Sequence, residues 1–545
     1  MALLTLLLLT FALGSFGLLE DNEARFFEIS WEMAETGDWL TPRLNFIKHF
    51  HKPPGTFWLV AASLRVWGQS EWAGRLPVAL AGMLTAGLTW AWAASEDGRA
   101  YAYRAVLVLV TSLQFWFLSR LVLTDMFLTV AVTSAFFWAW RSRSQPTSTS
   151  WLGFWLSMGA TALFKGPIGL AIVVPVLALF HLTSRRRISW NLRPALGMTL
   201  FSVLSLPWYV YVCSQNDGLL DYFLRFQTAQ RMLTTVHGRP GPWWFYVPVL
   251  MAGFFPWSTG LPVAIAGAWK SKDELDRLLL LWIAVPLLFF SCAGSKLPTY
   301  LLPIFPALAM LVARSCRDSP RARLLGSIAM VTLALFAVAL VAYLTIGVAP
   351  ELTPATPYLA ALAAVSGLAP LAAFACRSRF DDRVWFVWPG WSFALGLLIL
   401  ASALGPCDEA FSSRQLAQAI QAKQPTGGDL VEVADHLHGL PYYLRRRLIQ
   451  VSYPREVQFE SPEDYQAFLY PDLPSYFASR KIGPSTLIVL RRSDYETYAD
   501  PAWSHWEIGH WILLRPRSAP APSLPQAALP KSTGPFGRGA RVQRG

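Results

Sequence analysis

Charged side chains are scarce in this sequence. Only 15% of the 545 residues are Asp, Glu, Lys or Arg, whereas 54% are hydrophobic and the mean hydropathy is +0.36. Soluble domains carry about 25% charged residues, so the composition excludes a large soluble enzyme and indicates a polytopic membrane protein. The net charge of +12 comes from short basic clusters between apolar runs. That arrangement is typical of membrane proteins, and no nucleic-acid partner is expected.

Cysteine is too sparse and too scattered to form a disulfide framework. The five cysteines are Cys213, Cys292, Cys316, Cys376 and Cys407. Most lie in or beside apolar runs and none shows the spacing of metal ligands. We therefore expect them to act as small apolar side chains.

The N-terminus lacks the marks of a cleaved signal peptide. No basic segment opens the chain and no small-x-small cleavage site precedes Glu20, so residues 2–19 are predicted to be a retained first span. The other apolar runs bring the predicted total to about thirteen transmembrane helices. They are 74–94, 102–118, 121–140, 151–164, 166–183, 195–213, 243–269, 277–293, 297–313, 324–347, 357–375 and 384–404.

The distribution of Lys and Arg predicts the orientation of these spans. With the N-terminus inside, the inner loops hold 18 of these residues and the short outer loops hold three, Arg120, Lys165 and Lys296. Positive residues favour the cytoplasmic side. The first loop and everything after residue 405 are therefore predicted to be periplasmic.

The chain divides into three predicted regions. Residues 1–404 form a transmembrane domain whose loop 21–73 carries two juxtamembrane helices, Glu23–Glu35 and a second from Phe57 to Trp67. Residues 405–515 form a small extramembrane α/β domain, and 516–545 a disordered tail rich in Pro, Ala, Gly and Ser. The elements predicted in the small domain are helices Ala410–Lys423 and Pro441–Arg446, and strands Asp429–Val433, Leu448–Ser452, Thr486–Leu490 and Trp506–Leu514.

Several short motifs recur in a fixed order along the first 310 residues. The chain is similar in them to the polyprenyl-phosphate-dependent GT-C glycosyltransferases, above all the aminoarabinose lipid A transferases and the protein O-mannosyltransferases. The motifs are Asp21-Asn22-Glu23-Ala24-Arg25, His51-Lys52-Pro53-Pro54, Leu121-Val122-Leu123-Thr124-Asp125, Phe164-Lys165-Gly166-Pro167, His237-Gly238-Arg239-Pro240 and Ser295-Lys296-Leu297-Pro298-Thr299-Tyr300.

The resemblance implies a GT-C fold and a transfer reaction at the periplasmic face of a bacterial inner membrane. The donor would be a sugar on a polyprenyl phosphate. The acceptor would be lipid A or another envelope lipid, glycan or protein hydroxyl. A protein O-mannosyltransferase-like enzyme, a lipid-linked sugar transporter and a non-catalytic assembly protein are the alternatives. Fold alone does not separate them.

Two carboxylates are the catalytic candidates. Inverting transfer to a hydroxyl needs a general base, and the resembled family places an Asp-Glu pair directly before the Arg. Asn22 occupies the Asp position here, so Asp21 is the predicted base. Asp125 is an ionisable residue near the end of an apolar span, which usually marks function. It is predicted to organise the site, with helix capping as the alternative.

A lipid-phosphate leaving group needs cationic donors. The candidates for substrate binding on the predicted outer face are Arg25, Lys52, Lys165, Arg239 and Lys296, joined by the hydroxyl of Tyr300. Long cationic side chains also lie at membrane interfaces without any ligand, and this remains the alternative for each.

The resemblance permits, without requiring, a divalent metal ion. Its candidate ligands are His237 and His51, although the resembled enzymes tend to have Glu where His51 stands. Polar packing within the loops is the alternative for both histidines, because two distant histidines are a weak zinc signal.

Overall fold

The computed structural model describes residues 1–144, 148–184, 190–230, 240–317, 319–376, 381–424, 428–434, 436–452, 467–480, 485–498 and 503–516. The predicted disordered tail lies outside these residues from position 517 onward.

Helices dominate the first 404 residues. The first half contains α1 Ala2–Thr10, a π-helical turn Glu20–Ala24, α2 Arg25–Thr36, strands β1 Arg43–Leu44 and β2 Ile47–Lys48, α3 Gly55–Trp67, α4 Glu71–Val110, α5 Leu113–Leu118, α6 Thr124–Ser144, α7 Ser148–Lys165, α8 Ile168–Thr183, α9 Pro194–Gln215, α10 Leu219–Asp221 and a π-helix Tyr222–Gln230. The second half contains α11 Tyr246–Gly253, α12 Leu261–Lys270, α13 Glu274–Cys292, a 3-10 helix Pro298–Ile304, α14 Phe305–Ser315, α15 Ser319–Ile346, α16 Thr356–Ala375 and α17 Asp382–Leu404, with shorter 3-10 turns at Ser258–Gly260 and Pro350–Ala355.

The protein is a multi-pass membrane protein. Seven helices in the described part of the chain are long and apolar enough to cross a membrane. The pair Tyr246–Gly253 and Ser258–Lys270, bent by 115°, makes an eighth if it counts as one span. The predicted total of thirteen is not confirmed by length and composition.

Two breaks explain part of the difference. The predicted spans 74–94 and 102–118 lie mostly within one element, α4, which loses helical geometry only at Asp97 and Gly98. Helix α1 has nine residues, which is about 14 Å at 1.5 Å per residue and too short for a hydrocarbon core of about 30 Å. The predicted first span over 2–19 is therefore wrong in its second half, which is not α-helical.

The first loop folds into a compact pair of helices. Helix α2 ends at Thr36, and Gly37, with a φ of +73°, provides a left-handed C-cap. Helix α3 follows Pro53-Pro54 and packs against both α2 and α4. Gly74 of α4 lets the Phe27 ring of α2 approach closely, because a Cβ there would come within 2.1 Å of that ring.

The C-terminal region contains one six-stranded mixed sheet. Its strands are β3 Leu430–Val433, β4 Ile449–Val451, β5 Leu469–Tyr470, β6 Leu487–Arg491, β7 Trp503–Ile508 and β8 Trp511–Pro516, in the order β5-β4-β3-β6-β8-β7. The helices around it are α18 Asp408–Phe411, α19 Arg414–Lys423, α20 Gly439–Leu444, α21 Leu473–Ser479 and α22 Tyr495–Tyr498, with a 3-10 turn at Arg492–Asp494.

The sheet corrects one predicted strand. The strands predicted near 429–433, 448–452 and 486–490 are present, whereas the single strand predicted over Trp506–Leu514 is wrong. The chain reverses at Gly509, with φ +55°, and β7 pairs antiparallel with β8. The boundaries of the three predicted regions remain predictions.

The first loop lies against this C-terminal sheet domain. The side chain of Asn45 donates to the Leu448 carbonyl at 3.0 Å and accepts from the Leu448 N–H at 2.9 Å. The rings of Phe27 and Tyr442 meet edge to face at 4.7 Å. The first loop therefore lies between the membrane helices and the sheet domain and contacts the sheet domain directly.

Candidate functional site

A cavity of about 750 Å³ lies where the first loop, the membrane helices and the C-terminal sheet domain meet. Three of its walls carry predicted site residues: Arg25 and Lys52 from the first loop, Asp125 and Lys165 from α6 and α7, and Tyr300 from the 3-10 helix Pro298–Ile304. Residues up to 275 positions apart in sequence thus share one space of a size suited to a small-molecule ligand.

The turn at the cavity floor is held by a buried ion pair. The carboxylate of Glu23 accepts two hydrogen bonds from the Arg75 guanidinium, both at 2.7 Å, and both side chains are fully buried. Arg75 also donates to the carbonyls of Leu13, Phe16 and Gly17. Glu23 is therefore committed to neutralising Arg75, and it is a poor candidate for a general base.

The same carboxylate reaches the next wall of the cavity. Glu23 accepts from the backbone N–H of Val122 at 3.1 Å, two residues before α6 begins. This contact fixes the segment leading into Asp125 relative to the first loop.

Asp125 and Lys165 form a second buried pair. Their charged atoms lie 2.6 Å apart, and each side chain is less than a tenth exposed. Asp125 is in the first turn of α6, where a negative charge interacts favourably with the helix dipole. The Lys165 ammonium also lies 5.0 Å from the centre of the Tyr300 ring. Asp125 therefore positions a cation at the cavity wall.

Glu20 is a cavity residue that the sequence analysis did not select. Its carboxylate accepts backbone hydrogen bonds from Ser413 at 3.2 Å and Gly439 at 3.0 Å, both in the C-terminal domain. Burial raises the pKa of Glu20 to about 7, against the lowering effect of these hydrogen bonds. Its position after an apolar run, directly before Asp21, was the only sequence signal available.

The C-terminal domain contributes further cavity residues that sequence reasoning missed. Arg491 ends β6 and Arg492 follows it, His510 lies in the β7–β8 turn, and His436 follows β3; all four line the cavity. No local motif marks them, because only the packing of this domain onto the first loop brings them to the site.

The remaining predicted residues are placed differently. The backbone of Asp21 lies in the π-helical turn between two cavity-lining residues, Glu20 and Asn22. The Lys296 ammonium donates to the nearby Ala293 carbonyl, and its buried side chain lies outside the cavity lining found in the described part of the chain. Arg239 and His237 lie outside the described residues.

A smaller cavity of about 100 Å³ shares Lys52, Lys165 and Tyr300 with the larger one. Its wall also contains His51, whose ring stacks at 6.0 Å on Tyr222 and lies 4.0 Å from that of His49. Burial lowers the pKa of His49 to about 3, so this imidazole is neutral at physiological pH.

Three buried side chains in the described residues have the spacing of metal ligands, and they are not the predicted pair. They are Glu28 of α2 with His436 and His438 of the C-terminal domain, and their ligand atoms all lie within 4.8 Å of one another. Burial raises the pKa of the Glu28 carboxyl well above its usual value, and the Glu32 carboxylate adds to this effect. Burial also holds the pKa of His438 well below its usual value. We call this group the His–Glu cluster.

Comparison with known proteins identifies relatives across this architecture. A family model for dolichyl-phosphate-mannose-protein mannosyltransferases matches residues 51–211. An undecaprenyl phosphate-α-4-amino-4-deoxy-L-arabinose arabinosyl transferase from Pectobacterium carotovorum is 30% identical over 392 residues, which is 69% of this chain and 70% of the relative. The corresponding transferase 2 from Proteus mirabilis is 31% identical over 59% of each chain, and the Erwinia tasmaniensis protein over 54% of each. The chain thus spans less than two thirds of these last two relatives.

Two solved structures share the fold. ArnT from Cupriavidus metallidurans in the apo state superposes with a TM-score of 0.81 at 24% identity, covering 93% of this chain and 96% of that one. The same protein bound to undecaprenyl phosphate gives 0.82 at 23% identity, covering 94% and 96%.

The fold and the cavity define a polytopic membrane protein of the GT-C glycosyltransferase class. Arg25, Lys52 and Lys165 share its cavity with the carboxylates of Glu20 and Asp125. On the extent of its similarity to the Pectobacterium protein, the chain belongs to the undecaprenyl phosphate-α-4-amino-4-deoxy-L-arabinose arabinosyl transferase family.

Proposed function

We propose that this chain transfers a sugar from a polyprenyl-phosphate carrier to a lipid A-type acceptor at the periplasmic face of the bacterial inner membrane. The observation that carries the proposal is the 750 Å³ cavity in which Arg25, Lys52 and Lys165 share walls with Glu20 and Asp125. The names of the relatives support undecaprenyl phosphate as the carrier and 4-amino-4-deoxy-L-arabinose as the sugar.

The carrier phosphate binds to the cations of the first loop. Arg25 opens α2 and Lys52 precedes the rigid Pro53-Pro54 pair, so both side chains project from backbone of fixed direction. Arg25 provides planar, paired N–H donors and Lys52 a compact charge, and both stabilise negative charge as it develops on the leaving phosphate. Lys165 adds a third positive charge, held in place by Asp125.

The transfer exchanges one bond at the anomeric carbon for another. The bond from this carbon to the carrier phosphate oxygen breaks, and its electron pair leaves with undecaprenyl phosphate. An acceptor oxygen attacks from the opposite face and forms the new glycosidic bond through an oxocarbenium-like transition state. The cations lower the barrier because the leaving phosphate gains charge along this path.

The chemistry of the acceptor decides whether a base is needed. A lipid A phosphate is ionised at neutral pH and can attack without losing a proton, whereas a hydroxyl must lose one. We propose Asp21 as the general base for a hydroxyl acceptor, because Asn22 has no basic oxygen and Glu23 is paired with Arg75. With a phosphate acceptor, the carboxylates only position and polarise the acceptor.

The periplasmic location rests on the positive-inside bias. Eighteen Lys and Arg residues in the predicted inner loops against three in the short outer loops favour this orientation. The cavity and the C-terminal domain would then face the compartment in which lipid A acceptors are modified.

A lipid-linked sugar transporter is disfavoured by the arrangement of charges. A transport site is expected near mid-membrane between broken helices, whereas the ionisable residues here gather where the membrane helices meet the first loop and the sheet domain. A protein O-mannosyltransferase-like acceptor preference is an outcome of the experiment below.

The experiment is product analysis by mass spectrometry. The purified protein in liposomes is given undecaprenyl-phosphate 4-amino-4-deoxy-L-arabinose with either lipid A or a Ser/Thr-rich peptide. We expect lipid A to gain one aminopentose, a product lost with Lys52→Ala and kept with the exposed control Lys272→Ala. Modification of the peptide alone, or movement of the donor across the bilayer without any product, would overturn the proposal.

A further inference from the structure

None of the three residues of the His–Glu cluster is assigned to transfer, and the cluster joins two regions of the chain. Glu28 is on α2 of the first loop, one turn beyond Ala24. His436 and His438 lie between β3 and α20 of the C-terminal domain. Leu437, between the two histidines, is buried in the core of that domain, which leaves its neighbours to face α2.

The ligand atoms have the separation that a tetrahedral metal requires. Nδ1 of His438 lies 3.3 Å from Oε2 of Glu28, and Nε2 of His436 lies 3.8 Å from the same oxygen. Zinc bonds of 2.0–2.1 Å in tetrahedral geometry put ligand atoms about 3.4 Å apart. A metal ion therefore fits between them with only small shifts of the side chains.

Two of the ligand atoms are buried without a hydrogen bond. Among the described residues, Oε2 of Glu28 and Nδ1 of His438 have no hydrogen-bond partner, although both are shielded from solvent. The other carboxylate oxygen, Oε1 of Glu28, accepts from the backbone N–H of Asn45 at 3.0 Å. Buried polar atoms are nearly always satisfied, so two of them left without a hydrogen bond and 3.3 Å apart indicate a ligand that both could bind.

The surroundings provide the second shell of a metal site. Nδ1 of His436 lies 2.8 Å from Oε2 of Glu432, which orients the ring so that Nε2 faces Glu28. The other oxygen of Glu432 accepts from the Leu437 N–H at 2.6 Å. A carboxylate behind a ligating histidine fixes its tautomer and raises its basicity. The two imidazoles and one carboxylate are ligands suited to zinc.

We infer that Glu28, His436 and His438 bind a zinc-class divalent ion that fastens the first loop to the C-terminal domain. The ion crosslinks two walls of the large cavity, because Arg25 lies one turn before Glu28 and His436 itself lines that cavity. The role is positional, and it holds whichever sugar or acceptor the chain uses. This site is separate from the predicted pair His51 and His237.

The test is zinc content and affinity in the full-length protein purified in detergent. After dialysis against chelator and addition of ZnCl2, wild type should hold one zinc that His438→Ala and Glu28→Gln lose. The matched control His51→Ala should keep it. Glu432→Gln should bind zinc about 10–100-fold more weakly, because only the second shell is changed. A weakened but retained zinc affinity in this variant distinguishes a change at the metal site from general misfolding of the protein.

A second readout uses the wild-type protein alone. Co²⁺ in place of zinc should give the visible absorption of a four-coordinate ion, and zinc should displace it. Chelation should lower the thermal midpoint of wild type while leaving that of His438→Ala unchanged. Zinc content unaffected by His438→Ala, loss of the ion in His51→Ala, or no zinc bound by wild type at micromolar concentration would each overturn the inference. None of these readouts depends on transfer activity.

Discussion

Replacing Glu23 by Gln is expected to destabilise the protein by about 3–5 kcal/mol, the usual result of removing one partner from a buried ion pair. Gln has nearly the same size, so packing is preserved. Arg75 donates to both carboxylate oxygens of Glu23, and Gln replaces one of these acceptors with an NH2 donor, so one of the two hydrogen bonds is lost. The guanidinium would keep its full charge, with the Gln oxygen and the carbonyls of Leu13, Phe16 and Gly17 as its acceptors in the described part of the chain. The backbone N–H of Val122 would also lose a charged acceptor.

The magnitude follows from the geometry of this pair. Both bonds are 2.7 Å long and both side chains are fully buried, so solvent does not screen the loss. By contrast, Glu35 is exposed, and within the described residues its side chain accepts a single hydrogen bond, from the Gln69 amide at 2.9 Å. Glu35→Gln is the matched control, and its effect should stay within about 0.5 kcal/mol.

The assay is the free energy of unfolding in mixed micelles. It is measured for Glu23→Gln and Arg75→Met as single variants, for the two combined, and for the control Glu35→Gln. Removing both charges should destabilise less than the sum of the single changes, because no uncompensated charge remains. If Glu23→Gln proves as mild as Glu35→Gln and yet abolishes transfer, the structural assignment of Glu23 is refuted and the residue becomes a catalytic candidate.

Three further predictions concern the reaction and the topology. Arg25→Ala and Lys52→Ala should each lower turnover about a hundredfold, since losing one such donor raises the barrier by about 3 kcal/mol, with the protein still folded in membranes. Asp21→Asn should abolish transfer to a hydroxyl acceptor while carrier binding persists; if the site needs the carboxylate at position 22, Asn22→Asp should raise activity and make Asp21 dispensable. A reporter fused after Leu404 should be active only in its exported form, because the C-terminal domain is predicted to be periplasmic.

Each of these has a contrary outcome, and the two cation variants also have a control. Arg65→Ala removes an exposed guanidinium that donates to the Ala34 carbonyl at 3.3 Å, and it should leave turnover unchanged. Near-normal turnover of both cation variants would remove them from the site. A fully active Asp21→Asn enzyme on a hydroxyl acceptor contradicts the base assignment, whereas the same result on a phosphate acceptor does not. Cytoplasmic reporter activity would reverse the orientation.

The sequence was a good guide to class and to the identity of several cavity residues. Scarce charge and long apolar runs follow from the solvent, since a bilayer excludes unpaired charge whatever the tertiary arrangement. The short motifs around Arg25, Lys52, Asp125, Lys165 and Tyr300 are local, and the structure brings these five residues together at the cavity.

The sequence was a poor guide to where helices are interrupted and to how β-strands pair. Apolar composition persists through residues 2–19, but the helix ends at Thr10, because hydrophobicity does not report where the backbone leaves helical geometry. Likewise, the apolar run around Trp506–Leu514 conceals the reversal at Gly509.

The sequence by itself determined a membrane protein with its chemistry gathered on one predicted face. Only the tertiary structure decided which charged side chains stabilise the fold. Glu23 meets Arg75 across 52 positions and Glu28 meets His438 across 410, and no local pattern encodes contacts of that range. The physical reason is that a buried charge takes its role from its neighbours in space, since they alone set its solvation and its partners.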